Sequence, residues 1–320
     1  MKSRSLSLPT LLGTAPLGTA LSTLVLLGMA LLSPATAQDM PLSQVLIEGE
    51  EWEPVAEGFE FTDGLCADGE GNLYFSDVKG GTAVYKVDLD GELSEFVEDA
   101  PGISGLQWGA DGRLYACVAR EKRVVVFDAD GTETELAADV RPNDLVVTHD
   151  GNLYFTMTPT QEIRRIDPEG AMTVVSEGAV TKPNGITLSR DQGTLAVSDH
   201  GGKHVWTFRI EEDGSLAHAA PYMTMRTPGE VAKGDGMATD VHGRYYVTTA
   251  EGLQMFDPTG RMGGVVAAPD PEAGLVSVCF AGPDHAWLHV ANGGTVYRRK
   301  TKTRGALFFE EPKENEDPPK

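Results

Sequence analysis

Apolar and polar residues alternate along most of the chain in short runs, each broken by a turn dipeptide. The clearest run, Asn72-Leu73-Tyr74-Phe75, recurs as Arg113-Leu114-Tyr115, Asn152-Leu153-Tyr154-Phe155, Thr194-Leu195-Ala196-Val197, Arg244-Tyr245-Tyr246-Val247 and Ala286-Trp287-Leu288. Measured at the second residue, successive runs lie 41, 39, 42, 50 and 42 residues apart. A period near forty, built from alternating runs and turn pairs such as Asp90-Gly91, Asp130-Gly131 and Glu169-Gly170, predicts the four-stranded blades of a propeller. Each period opens with a short apolar strand (65–67, 145–147, 186–188). The Leu-Tyr strand follows, then a third strand (83–88, 123–128, 162–167) and a fourth (93–97, 172–175). The sixth period lacks its fourth strand, and residues 53–58 resemble residues 95–100, the fourth strand of the first period. The reading is therefore an all-β, six-bladed β-propeller over residues 47–304, its last blade closed by the N-terminal strand. Closure removes the exposed sheet edges.

The rest of the chain divides by composition. Residues 1–37 show Lys2 and Arg4, an apolar run over 21–32, and Ala35-Thr36-Ala37, the order of a secretory signal peptide cleaved after Ala37. An exported protein, periplasmic or secreted, is expected, without stable membrane insertion after cleavage. A retained anchor is the alternative, since residues 11–32 could span a bilayer. Residues 38–46 read as a linker. The tail, 305–320, ends in Glu-Asn-Glu-Asp-Pro-Pro-Lys and reads as mostly disordered beyond Phe309. A net charge of −22 argues against a nucleic-acid partner. Cys66, Cys117 and Cys279 lie in apolar surroundings with no zinc spacing, and read as buried thiols.

One position repeats ten or eleven residues before each Leu-Tyr strand. It holds Asp63, Ser104, Asn143, Asn184, Asp235 and Ser277, all small and oxygen-bearing, four of them followed by Gly. Such residues also mark ordinary turns. Six in register around a propeller axis would instead cluster at one channel mouth. Two carboxylates and two amides there offer hard oxygen ligands, the set for Ca²⁺ or Mg²⁺.

The same stretches carry a family resemblance. Phe61-Thr62-Asp63-Gly64, Arg141-Pro142-Asn143-Asp144, Lys182-Pro183-Asn184-Gly185 and Gly234-Asp235-Gly236-Met237, with Phe280-Ala281-Gly282-Pro283-Asp284 near the end, resemble the signatures of the SMP-30/gluconolactonase/LRE-like family. The resemblance implies a six-bladed, metal-dependent propeller hydrolase, here an ester-bond hydrolase of the lactonase type acting on a small-molecule lactone or ester. It implies Asp63, Asn184 and Asp235 as metal ligands, Asp235 also as proton acceptor, and Arg141 and Asn143 as substrate contacts. One divalent cation is implied, Ca²⁺ first, with Mg²⁺, Mn²⁺ or Zn²⁺ as alternatives. His200 is an auxiliary candidate, competing with a solvated loop that also holds His204. Ser104 and Ser277 are left as channel lining. Two departures stand out: Asp63 replaces the family's usual Glu, and residues 157–161 lack the loop carboxylate of sugar-lactone members. Two other functions remain open: a phosphotriesterase-like hydrolase on the same site, and a non-catalytic propeller in which a metal staples the channel. No Gly-x-Ser-x-Gly elbow or Walker loop is present.

Overall fold

The computed structural model of the chain describes residues 40–317. Twenty-four strands form six four-stranded antiparallel sheets, five of them in simple sequence order. The sixth takes its first three strands, Leu275–Ala281, Trp287–Asn292 and Thr295–Lys300, from the end of the chain and its outer strand, Glu53–Ala56, from the beginning. Glu53 lies opposite Arg298, and their side chains form an ion pair at 2.6 Å. The six-bladed propeller and its N-terminal closure are as the sequence predicts.

Burial explains why the blades have this composition. The second strands Leu73–Asp77, Leu114–Val118 and Leu153–Met157 are buried at all five positions, because each blade packs on a neighbour at both faces. Outer strands such as Leu93–Val97 and Glu133–Ala137 are mostly exposed. The buried apolar side chains gather into clusters that each bridge two neighbouring blades. Tyr74 and Val84 of blade 1 meet Leu106 and Phe127 of blade 2, and Leu65 and Phe75 of blade 1 meet Cys279 and Val296 of blade 6. Each fully buried side chain of this kind contributes about 1.5–3 kcal/mol of transfer free energy. No blade can bury both its faces alone, so the circle must close for the core to exist.

Hydroxyls stitch the seams near the axis. Ser76, Thr156, Ser198 and Thr248, at the same position of four second strands, donate to the next blade's Ile103, Asn184, Asp235 and Val276 carbonyls. In blade 2 that position holds Cys117. There Ser104 bridges instead, donating to the Asn143 carbonyl at 2.6 Å.

Both flanking segments differ from expectation. Residues 40–46, read as a linker, carry the 3-10 turn Leu42–Gln44 and a fully buried Val45 packed on the cluster between blades 5 and 6. The tail, read as disordered beyond Phe309, is instead held down as far as Glu316. Phe308 is buried, the Phe308 and Glu310 carbonyls accept from Gln192, the Glu314 carbonyl accepts from Arg190, and the Glu316 N–H donates to Val241. Its acidic composition is solvated on one face while its backbone is claimed by groups on blades 4 and 5. The signal-peptide expectation lies outside the described residues. Among the described residues no helix is long and apolar enough to cross a membrane.

Candidate metal and active site

The inner strands line the channel, and the six ring residues sit at or just before their starts. Asp63, Ser104, Asn184 and Ser277 lie inside the strands Thr62–Ala67, Ile103–Trp108, Pro183–Leu188 and Leu275–Ala281, each at or beside a break in the pairing register. Asn143 and Asp235 directly precede or lie close to Leu145–Val147 and Met237–Thr239. The glycines that follow ring residues are explained by crowding at the axis more than by turns. A Cβ on Gly185 would lie 2.0 Å from the Asp235 carbonyl oxygen, and one on Gly236 would lie 2.6 Å from that of Val276. Neighbouring inner strands approach so closely there that only glycine fits.

The six residues have unequal roles. Ser277 Oγ accepts from the Leu65 N–H at 3.0 Å and Ser104 Oγ donates to Asn143, so both hydroxyls are spent on seams between blades. Asp63, Asn143, Asn184 and Asp235 remain. Asp63 Oδ1 accepts from the Gly64 N–H at 2.8 Å. Burial pushes its carboxyl up to about 8, against the opposing pull of that N–H, and the nearby Asp144 charge adds to the rise. Asp235 is pushed well above the usual carboxylate range, first by burial and then by Asp63 and Asp144. Among the described residues none of the Asp63, Asp144 and Asp235 carboxylates has an Arg or Lys within ion-pair distance.

Asp144 is a further carboxylate beside the ring, one to which the sequence assigns no role. Its Oδ1 accepts from the Leu145 N–H at 2.8 Å, and burial pushes its carboxyl up to about 7. Room for it comes from Gly105, where a Cβ would lie 2.7 Å from Asp144 Oδ1. The available signal was a break in the pattern: a carboxylate follows the ring residue of the third repeat where four other repeats carry Gly. Below it the channel widens into a cavity of about 100 Å³, lined by Leu65, Cys66, Trp108, Ile186 and Cys279 and closed by Phe308 and Phe309 of the tail. The three cysteines are free and buried.

His200 lies in the turn after the strand Thr194–Asp199, its side chain partly exposed and turned toward the ring. Its Nδ1 lies 3.7 Å from Asp235 Oδ2 and 3.4 Å from Asn184 Nδ2. Burial lowers its affinity for a proton, and Lys182 and Lys233 lower it further. His204 lies in the strand His204–Ile210 and pairs with Thr224. Arg141 is exposed and Asn143 half-buried. They border a separate groove at the same mouth, with Arg120, Lys122, Thr158 and Pro159. Glu230 is held by Lys203 at 2.8 Å on the exposed rim.

The donor chemistry fits a hard divalent cation. Asp63 and Asp235 offer half-buried carboxylates and Asn184 an amide oxygen, and no Arg or Lys lies within ion-pair distance to offset the charge. Among the described residues no group of three His, Cys, Asp or Glu side chains is placed to hold a metal, so a cation here depends on Asn184.

Comparison with known proteins agrees with this fold. The chain is 26% identical over 238 residues to a gluconolactonase of Zymomonas mobilis, covering 64% of this chain and 65% of that protein. It thus spans just under two thirds of the length of that relative. A solved gluconolactonase of Xanthomonas campestris superposes with a TM-score of 0.70 at 22% identity, covering 80% of this chain and 91% of that one. A calcium-binding protein, regucalcin, from Agrobacterium tumefaciens superposes with a TM-score of 0.68 at 17% identity, covering 82% and 98%. At these identities the two structures speak for the fold. The SMP-30/gluconolactonase/LRE-like region matches residues 56–293, nearly the whole propeller, and the chain belongs to that family.

Proposed function

We propose that the chain is an exported, divalent-cation-dependent lactonase. The observation that carries this reading is the set of half-buried carboxylates, Asp63, Asp144 and Asp235, gathered with Asn184 and His200 at one channel mouth with no Arg or Lys within ion-pair distance. The family and the lactone-hydrolysing names among its relatives support it. Export rests on the pattern of residues 1–37.

Asp63, Asn184 and Asp235 would hold the cation, Ca²⁺ in the first instance. When bound, it supplies Lewis-acid polarisation of the lactone carbonyl. The protein's own groups do the rest. Asp235 takes the proton of the attacking water, a role suited by a burial that raises its proton affinity. His200, kept neutral by burial, accepts from Asn184 Nδ2 and so leaves Asn184 Oδ1 available as a ligand. Asn143 and Arg141 hold the substrate from the adjoining groove.

The test is lactone hydrolysis by the mature protein before chelation, after chelation and after cation add-back, with Asp235→Asn in parallel. Activity lost with the chelator, restored by the cation and absent in the variant supports the reading. A cation-binding protein that opens no lactone or ester in a broad panel refutes it.

A further inference from the structure

The groove beside the ring has a charge that the rest of the chain does not. The protein carries a net −22, with 26 Lys and Arg against 48 Asp and Glu. Yet the groove of about 370 Å³ between blades 2 and 3 is walled by Arg120, Lys122 and Arg141, and no carboxylate lines it. The one acid of its loop, Glu121, is engaged by Arg123 on the neighbouring strand. Arg120 donates from one guanidinium nitrogen to the Val78 and Lys79 carbonyls, at 3.0 and 3.2 Å, which ties it to blade 1. Arg141 and Lys122 form no ion pair among the described residues. Lys122 is also held in the left-handed region (φ 61), and its carbonyl accepts from the Val140 N–H at 3.0 Å, so its position on the wall is set by backbone.

These cations do not serve the ring carboxylates, since none lies within ion-pair distance of Asp63, Asp144 or Asp235. Asn143 joins the two regions: it is the ring residue of blade 3 and also lines the groove. A molecule with its reacting carbonyl at the ring and a substituent lying past Asn143 would place that substituent among three cations. From this geometry we propose that the substrate is a lactone carrying an anionic substituent, a carboxylate or phosphate, held by Arg141 and Lys122 with Arg120 behind them. This rests on the lactonase reading and narrows its substrate class. Planar guanidinium groups favour such oxyanions through paired hydrogen bonds, and a cationic concavity raises the local concentration of anionic ligands.

The experiment compares kcat/KM for D-glucaro-1,4-lactone, which bears a free carboxylate, with that for neutral L-gulono-1,4-lactone. A phosphorylated sugar lactone forms a third arm that separates phosphate from carboxylate preference. The anionic lactones are expected to be favoured by about tenfold or more, a preference that shrinks as salt rises from 0.05 to 0.5 M. Lys122→Met and Arg141→Met should each lower the anionic-to-neutral ratio by about fivefold or more, and Lys122→Arg should keep most of it. A ratio near one in the wild type, or one that neither Met variant moves, overturns the proposal. If no lactone of either charge is opened, the lactonase reading has failed, and calorimetry then tests the groove by itself. Gluconate binding at least tenfold tighter than the neutral polyol glucitol, with the difference lost in Lys122→Met, supports the anion site, and equal affinities overturn it.

Discussion

One short strand of blade 5, Met237–Thr239, carries a carboxylate near each end, and the two live in opposite circumstances. Asp240, just past its lower end, is fully buried yet saturated. It accepts from the His242 and Arg244 N–H groups, from the Arg244 guanidinium at 2.9 Å, from the Tyr246 hydroxyl and from Thr303. Arg244 reaches on to Gln44, so the pair also clamps the N-terminal segment to the tail. Asp235, near the upper end, faces two other carboxylates and a neutral imidazole. Blade 1 repeats the contrast in milder form: Asp68 accepts from the Tyr74 hydroxyl and from Asn72, while Asp63 has the Gly64 N–H. Polarity at the lower mouth is spent on holding the fold. At the upper mouth it is left unspent, and that is where a ligand can find it.

The contrast can be broken from either side. Asp240→Ala leaves Arg244 charged, buried and without its carboxylate partner. It should cost about 3–5 kcal/mol in urea unfolding, with kcat per folded molecule retained. A neutral result there would mean that the lower cluster is not a structural one. Asp235→Asn should do the reverse. It is expected to lower kcat about a thousandfold while leaving metal-free stability equal or higher, because it removes like-charge repulsion.

The pH dependence of the metal-free protein follows from the same asymmetry. The carboxyls of Asp63 and Asp144 are raised in the folded state, to about 8 and about 7, above the ordinary carboxylate value of 3.8. Folding therefore favours their protonated forms. Their stabilising contribution is present below the unfolded value and is lost as pH rises through the folded values. In chelator, the melting temperature should fall between pH 5 and pH 8.5, and excess Ca²⁺ should reverse the fall at the upper pH. A chelated protein equally stable at both pH values would contradict the charge assignment. The smallest effect is expected at the plug: Phe308→Ala should cost about 2 kcal/mol by thermal unfolding, as one buried aromatic side chain is lost.

What could be read from the chain, and what could not, divides along physical lines. The blade period was legible because turns and alternation are local, and ring residues were legible because the blade repeats them in register. The tail was not, because its order depends on distant groups such as Gln192, Arg190 and His149, the last of which contacts the Phe309 carbonyl. His200 is a turn residue, and the sequence does not show its approach to the ring because Asn184 and Asp235 lie on two different blades. Asp144 went unassigned because the repeat drew attention to Asn143 beside it, and only the axis shows that its carboxylate shares a field with Asp63 and Asp235. The role of the ring glycines, too, depends on how near the next blade's backbone comes, which spacing alone does not contain.

The most direct test of the central claim measures Ca²⁺ binding and lactone hydrolysis on the same chelator-treated samples of wild type and Asp235→Asn. The expected result is one calcium site in the wild type, absent or much weakened in the variant, with wild-type hydrolysis returning in step with site occupancy. Hydrolysis at full rate in chelator, or hydrolysis by Asp235→Asn at the wild-type rate, would contradict the account.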